Sequence, residues 1–195
     1  MILKVHFTLL FMLIYNFLWG NINIFFASYM FIMMHELSHM IMALALRVDI
    51  LEIELTCFGV IAKYNGSISL LKEFLISIAG PTATLIYSYI YKDNLYFYIN
   101  MCIFVFNMLP IYPFDGGRIL KVLLSIVFGK KKGGIVSSYI TNIIVIFLFV
   151  LSVFVAVYFR HFYVLLISLY IMKLAKREIK KDRIINLINY LQNAE

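Results

Sequence analysis

The sequence predicts an all-α polytopic membrane protein: about six transmembrane helices with a short cytoplasmic or membrane-reentrant β-hairpin between the second and third. Three observations predict it. The 195 residues are 64% hydrophobic and only 14% charged, with a mean hydropathy of +0.94. A soluble domain averages ~45–50% apolar and ~25% charged, so this chain has too little polar surface to cover a water-soluble globule. The apolar residues fall in long runs, and at ~20 residues per span the length accommodates about six. The basic residues, finally, partition between the two membrane faces in one direction.

The runs follow in order. Ile2–Leu18 is read as a retained first helix, because no small-x-small cleavage site follows its single lysine and apolar stretch. His6 near its start reads as an interfacial histidine. The second span is Ile22–Leu46. Within Asp49–Tyr64 the period changes: Leu51-Glu52-Ile53-Glu54-Leu55 alternates, and Val60–Tyr64 resumes after Phe58-Gly59, which predicts a hairpin. It is either a connector or an open edge on which an extended peptide pairs. Further spans are Phe74–Tyr91, Leu95–Tyr112, Ile135–Phe159 and Phe162–Ala175. The last is short, and Lys173 and Lys176 would snorkel to the interface. Residues 1–176 form the membrane domain. The tail from Arg177 to Glu195 is a basic amphipathic helix that lies along the membrane lipid or packs on the core.

With alternate loops assigned to opposite sides, only Lys92 and Arg160 of the 17 Lys and Arg fall on one side. The positive-inside rule then places both termini in the cytoplasm of a multi-pass cell-membrane protein. Topology accounts for the net charge of +7, and no nucleic-acid partner is needed. The two cysteines, Cys57 and Cys102, are far apart and suggest neither a disulfide framework nor a metal cluster.

The second span contains His35-Glu36-Leu37-Ser38-His39, the H-E-x-x-H pattern. Residues four apart share a helix face, so both imidazoles can bind one metal ion, with Glu36 beside them as general base. Zn2+ suits two imidazoles and a carboxylate, and makes hydroxide available near neutral pH. Chance places the pattern in roughly 0.2–0.3% of chains of this composition. An ionisable cluster deep in an apolar helix is also costly enough to mark a functional site. The bland reading is two satisfied buried histidines beside a paired glutamate.

A catalytic zinc needs a third protein ligand. The candidates are Asp49, Asp93, Asp115, Glu52, Glu54 and Glu73, with His6 and His161. Asp93 and His161 fall on the external side, a solvated hairpin face explains Glu52 and Glu54, and Asp49 sits at the mouth of the second span. Asp115 differs: it lies in Leu109-Pro110-Ile111-Tyr112-Pro113-Phe114-Asp115-Gly116-Gly117, where prolines and glycines interrupt a span. Broken backbone at membrane depth is tolerated only where it is buried in protein or lines a cavity. His35 and His39 lie ~10–17 Å from the cytoplasmic end of their helix, a depth to which the broken fourth span could return Asp115. Its alternative role is that of a loop aspartate.

H-E-L-S-H in one helix with L-P-I-Y-P-F-D-G-G-R in a later one resembles the site-2 intramembrane metalloproteases. The fuller match is to their sporulation branch, which processes a membrane-tethered pro-sigma factor. Leu3-Lys4-Val5-His6, Phe58-Gly59 and Ala79-Gly80-Pro81 support it. The resemblance implies a metalloendopeptidase with Zn2+ on His35, His39 and Asp115, Glu36 as base, and Asn107 positioning substrate or steadying the intermediate. Read from its type alone, Asn107 is an amide in an apolar helix that would make an interhelical hydrogen bond. Gly80-Pro81 reads as a close helix-packing point.

The resemblance further implies a membrane-associated pro-sigma factor as substrate, small membrane partners that hold the enzyme inactive, and a site opening to the cytoplasm. Sporulation relatives carry a nucleotide-sensing CBS domain, and other branches a PDZ domain. Neither is expected within these 195 residues, which puts ATP regulation in doubt. Two rivals stand beside this reading. One is a site-2 protease acting on anti-sigma factors or signal-peptide remnants; the other is a non-proteolytic divalent-metal transporter or scaffold.

Overall fold

The computed structural model describes residues 2–5, 22–56, 59–64, 68–92, 95–160 and 162–192. The described residues form three strands, β1 (Ile2–Val5), β2 (Ile50–Thr56) and β3 (Gly59–Tyr64), and six helices. The helices are α1 (Ile22–Ala45), α2 (Leu70–Ile90), α3 (Leu95–Asn107), α4 (Asp115–Phe128), α5 (Lys130–Phe159) and α6 (Phe162–Gln192). Three of them are long and apolar enough to cross a membrane: α1 over Asn23–Ala45, α2 and α5. The chain divides into two compact units, Met1–Asn107 and Met108–Glu195.

In the first unit the strands lie in the order β1-β2-β3, with β1 parallel and β3 antiparallel to β2. Helix α1 packs along α2, and α2 along α3. At one end the ring of Phe31, 2% exposed, is surrounded by Tyr87, Tyr91 and Tyr96 with centroids 5.8–6.3 Å away. At the other end α1 stops in a Schellman turn. Val48 N–H bonds the carbonyl of Ala43, Arg47 N–H bonds that of Leu44, and Arg47 takes a positive φ of 54°. Val48 then packs with Ala43 and Ile76. Lys72 Nζ donates to the Leu46 carbonyl at 2.8 Å, satisfying one acceptor left over at the end of α1. Ser69 caps the start of α2.

In the second unit α5 and α6 run antiparallel: Ser152 meets Ser168 at 2.7 Å, while Val145 packs with Ile171 and Ala175. Helix α4 packs on α5 at Gly133, where an added Cβ would meet the backbone of Leu124 and Ser125 at about 2.5 Å. Only a residue without a side chain permits so close an approach.

Several boundaries differ from the pattern of apolar runs. Of the expected first span Ile2–Leu18, residues Ile2–Val5 form strand β1, registered against Glu52–Leu55. Four residues are too few for their periodicity to tell strand from helix, and here a distant strand supplies the hydrogen bonds. The rest of that run, with His6, lies outside the described residues, as do Asp93 and His161. The expected span Leu95–Tyr112 ends as helix at Asn107. Asp115–Phe128, which has no long apolar run, is an amphipathic helix burying Ile119, Val122 and Ser125. Phe162–Ala175 and the basic tail form one continuous helix, α6.

Candidate metal centre

His35 and His39 stand one turn apart on α1 and are 1% and 4% exposed. Their Nε2 atoms are 3.2 Å apart. Two imidazole nitrogens on one tetrahedral zinc stand ~3.3 Å apart, given Zn–N bonds of ~2.0–2.1 Å, so the observed separation fits a shared ion. The tautomer of His39 follows from its other nitrogen, which lies 2.6 Å from the carbonyl of Ile76. A carbonyl can only accept, so Nδ1 of the neutral ring carries the proton and Nε2 presents its lone pair. This is the outer hydrogen bond that orients a metal-binding histidine.

Helix α2 also supplies the space. A Cβ on Gly80 would run into His39 Nε2 and lie 2.7 Å from His35 Cε1. The missing side chain is the recess that the two rings occupy. Pro81, buried beside it, gives α2 no N–H toward Ser77, and Thr84 Oγ1 donates to the Pro81 carbonyl at 2.8 Å. Glu36, next to His35 in sequence, is half-buried, and Ser38 Oγ donates to the Met34 carbonyl of its own helix.

In the second unit Asp115 opens α4 and is 6% exposed. Its position is set by a tight turn in which Phe114 N–H bonds the Ile111 carbonyl and Gly117 N–H the Phe114 carbonyl, at 3.0 and 3.1 Å. Gly116 and Gly117 press directly on the backbone of Met108–Tyr112, leaving no space for a Cβ. The carboxylate therefore sits in the first turn of a helix, where the macrodipole favours negative charge by ~0.3–1 kcal/mol. The two imidazoles of the first unit and the carboxylate of the second are each buried and are donors of the kind zinc takes. Asn107 Nδ2 donates to the Ile103 carbonyl of its own helix at 3.1 Å.

Two contributors to the histidine site were not recognised from residue types. The Ile76 carbonyl is backbone and carries no signal of its own. Gly80 reads only as a packing point, and nothing in the sequence says that the rings it packs against are those of His35 and His39.

The peptidase family M50 model matches residues 94–151. Over 150 residues the chain is 27% identical to stage IV sporulation protein FB of Bacillus subtilis (strain 168), covering 64% of this chain and 49% of that one. It is 33% identical over 116 residues to zinc metalloprotease MJ0392 of Methanocaldococcus jannaschii, covering 52% and 34%. The chain thus spans about half the length of the first relative and a third of the second. The fold matches the site-2 protease from Methanocaldococcus jannaschii with a TM-score of 0.69 at 22% identity, over 91% of each chain. Part of the chain thus matches the M50 peptidase model, its sequence is similar to two M50-type relatives, and its fold is that of a site-2 protease.

Proposed function

We propose that the chain is an intramembrane zinc metalloendopeptidase whose ion is held by His35, His39 and Asp115. The observation that carries the reading is the oriented histidine pair: Nε2 atoms 3.2 Å apart, with His39 anchored on the Ile76 carbonyl. When bound, zinc supplies Lewis acidity to a peptide carbonyl and lowers the pKa of water.

The chain's own residues do the rest. Glu36, one position after the first ligand, takes a proton from the attacking water and returns it to the departing amine. Burial of His35, His39 and Asp115 keeps bulk water away from these charges and strengthens their interactions. Asn107 sits in the last turn of α3, where its amide would hold the substrate backbone. A helical substrate must unwind before its carbonyl is accessible, because helical hydrogen bonds shield it.

The reading extends to a multi-pass membrane protein with about six spans, both termini and the opening of the site on the cytoplasmic side. Its substrate would be a membrane-tethered pro-sigma factor, and small membrane proteins would hold it inactive. The similarity to a stage IV sporulation protein supports that substrate class.

The test is processing of a co-expressed membrane-tethered pro-sigma factor, followed by gel shift of the product. Wild type should cleave it, and Glu36→Gln should cut at least ~100-fold more slowly, the usual loss of a general base. Asp115→Asn should lose both bound zinc and cleavage. Cleavage surviving in Glu36→Gln would sink the mechanism. Retention of zinc in Asp115→Asn would remove Asp115 as a ligand.

A further inference from the structure

The second unit holds a cavity of about 460 Å3 lined by Asn142 of α5 and by Lys176, Ile179, Lys180 and Arg183 of α6. The three basic residues recur at i, i+4 and i+7, on one face of α6, around the buried Ile179. Among the described residues none of the three makes a salt bridge. Two acidic residues lie between them: Asp182 is engaged by Lys121 of α4 at 2.7 Å, and Glu178 is engaged by a partner other than these three. The cavity is therefore a concentration of uncompensated positive charge with a neutral amide on its opposite wall.

Its depth narrows the ligand. Helix α5 is apolar from Ile135 to Phe159, whereas α6 turns basic after Ala175. Measured from the Arg160 turn at ~1.5 Å per residue, Asn142 stands ~26 Å along α5 and Lys176 and Lys180 ~21 and ~27 Å along α6. A hydrocarbon layer is ~30 Å thick; with the Arg160 turn at one edge of it, the cationic heads would reach the level at which lipid phosphates begin. Beside Asn142, α5 exposes Ile135, Tyr139, Ile143 and Ile146 in one stripe, a surface suited to acyl chains. Basic pockets of this kind between membrane helices take anionic headgroups.

We propose that this cavity binds a phosphate group, presented by an anionic membrane phospholipid lying against α5. The proposal is independent of proteolysis. It is tested on the purified full chain in detergent micelles doped with phosphatidylglycerol or phosphatidylcholine, counting retained lipid by native mass spectrometry. Parallel arms add inorganic phosphate or glycerol 3-phosphate.

Phosphatidylglycerol should be retained and phosphatidylcholine not. Joint substitution of Lys176→Gln, Lys180→Gln and Arg183→Gln should weaken retention about 100-fold, since each basic residue at an anionic surface is worth roughly fivefold. Asn142→Leu, which keeps an apolar helix apolar and so should fold, should weaken it about tenfold through one lost hydrogen bond to a charged group. Changing Lys130, Lys131 and Lys132 to Gln removes equal charge outside the cavity and should leave retention within about threefold. Equal retention of phosphatidylcholine, an equal loss in the Lys130–Lys132 variant, or no effect of Asn142→Leu would overturn the site. Displacement of the lipid by equimolar glycerol 3-phosphate would overturn the lipid as its source.

Discussion

Gly80 on α2 and Gly133 on α5 use the same device for different ends. Each sits where a Cβ would overlap a neighbour. At Gly80 the neighbours are the imidazoles of His35 and His39; at Gly133 they are the backbone of Leu124 and Ser125. The first glycine makes room for side chains that can bind, and the second lets two helices touch. The polar residues around them differ in the same way. Along α2, Thr84 Oγ1 and Ser88 Oγ donate to carbonyls of Pro81 and Thr84. On α5 the hydroxyls of Ser137 and Thr141 are fully buried and make no hydrogen bond among the described residues. A glycine in an apolar helix therefore reveals a close approach, and only its neighbours reveal whether that approach concerns chemistry or packing.

The largest expected effect breaks this comparison directly. Gly80→Ala must displace the rings, so zinc affinity should fall ~10–100-fold, as when the outer support of a metal ligand is removed. The thermal stability of the zinc-free protein should fall less than in Gly133→Ala, because side chains yield more readily than backbone. Gly133→Ala should show the opposite: zinc content by atomic emission unchanged, and stability lower by ~1–3 kcal/mol from overpacking against backbone that cannot yield. If both variants lose stability and keep zinc, the two glycines are equivalent and Gly80 belongs to packing.

A smaller effect sharpens the contrast in polar groups. Thr84→Val removes a made hydrogen bond and should destabilise by ~0.5–1.5 kcal/mol. Thr141→Val removes a buried hydroxyl that has no partner and should be neutral or stabilising by up to ~1 kcal/mol. Denaturant titration in micelles reads both signs, and equal losses would show that Thr141 is bonded after all. The smallest effect belongs to Arg47, held at φ 54°. Arg47→Gly should stabilise the end of α1 by ~1 kcal/mol, because glycine adopts that conformation without the Cβ clash. A loss of stability there would mean that the arginine side chain contributes more than its backbone costs.

Legibility followed the range over which each feature is encoded. The two histidines were readable because a spacing of four residues places side chains on one helix face wherever the helix goes. The strand at Ile2–Val5 was not, because its backbone partners lie some fifty residues away in Glu52–Leu55. Helix α4 was missed for another reason. Its apolar residues are interleaved with Asp115, Arg118, Lys121 and two glycines, so it makes no long apolar run, and an amphipathic stripe of 14 residues is visible only at helical period. The continuity of α6 through Ala175 was hidden by the change of composition, because helical hydrogen bonding is indifferent to whether the side chains are apolar or basic.

The sequence by itself determined the membrane character of the chain, the two imidazoles on one face of α1 and the glutamate between them, since composition and short spacing act locally. The tertiary structure decided which proton His39 keeps, what space its ring occupies and where Asp115 is buried. Those depend on the Ile76 carbonyl, 37 residues from His39, on the absent side chain of Gly80, and on a turn closed over the backbone of Met108–Tyr112. Backbone atoms are the same in every residue, so only folding can assign them a role.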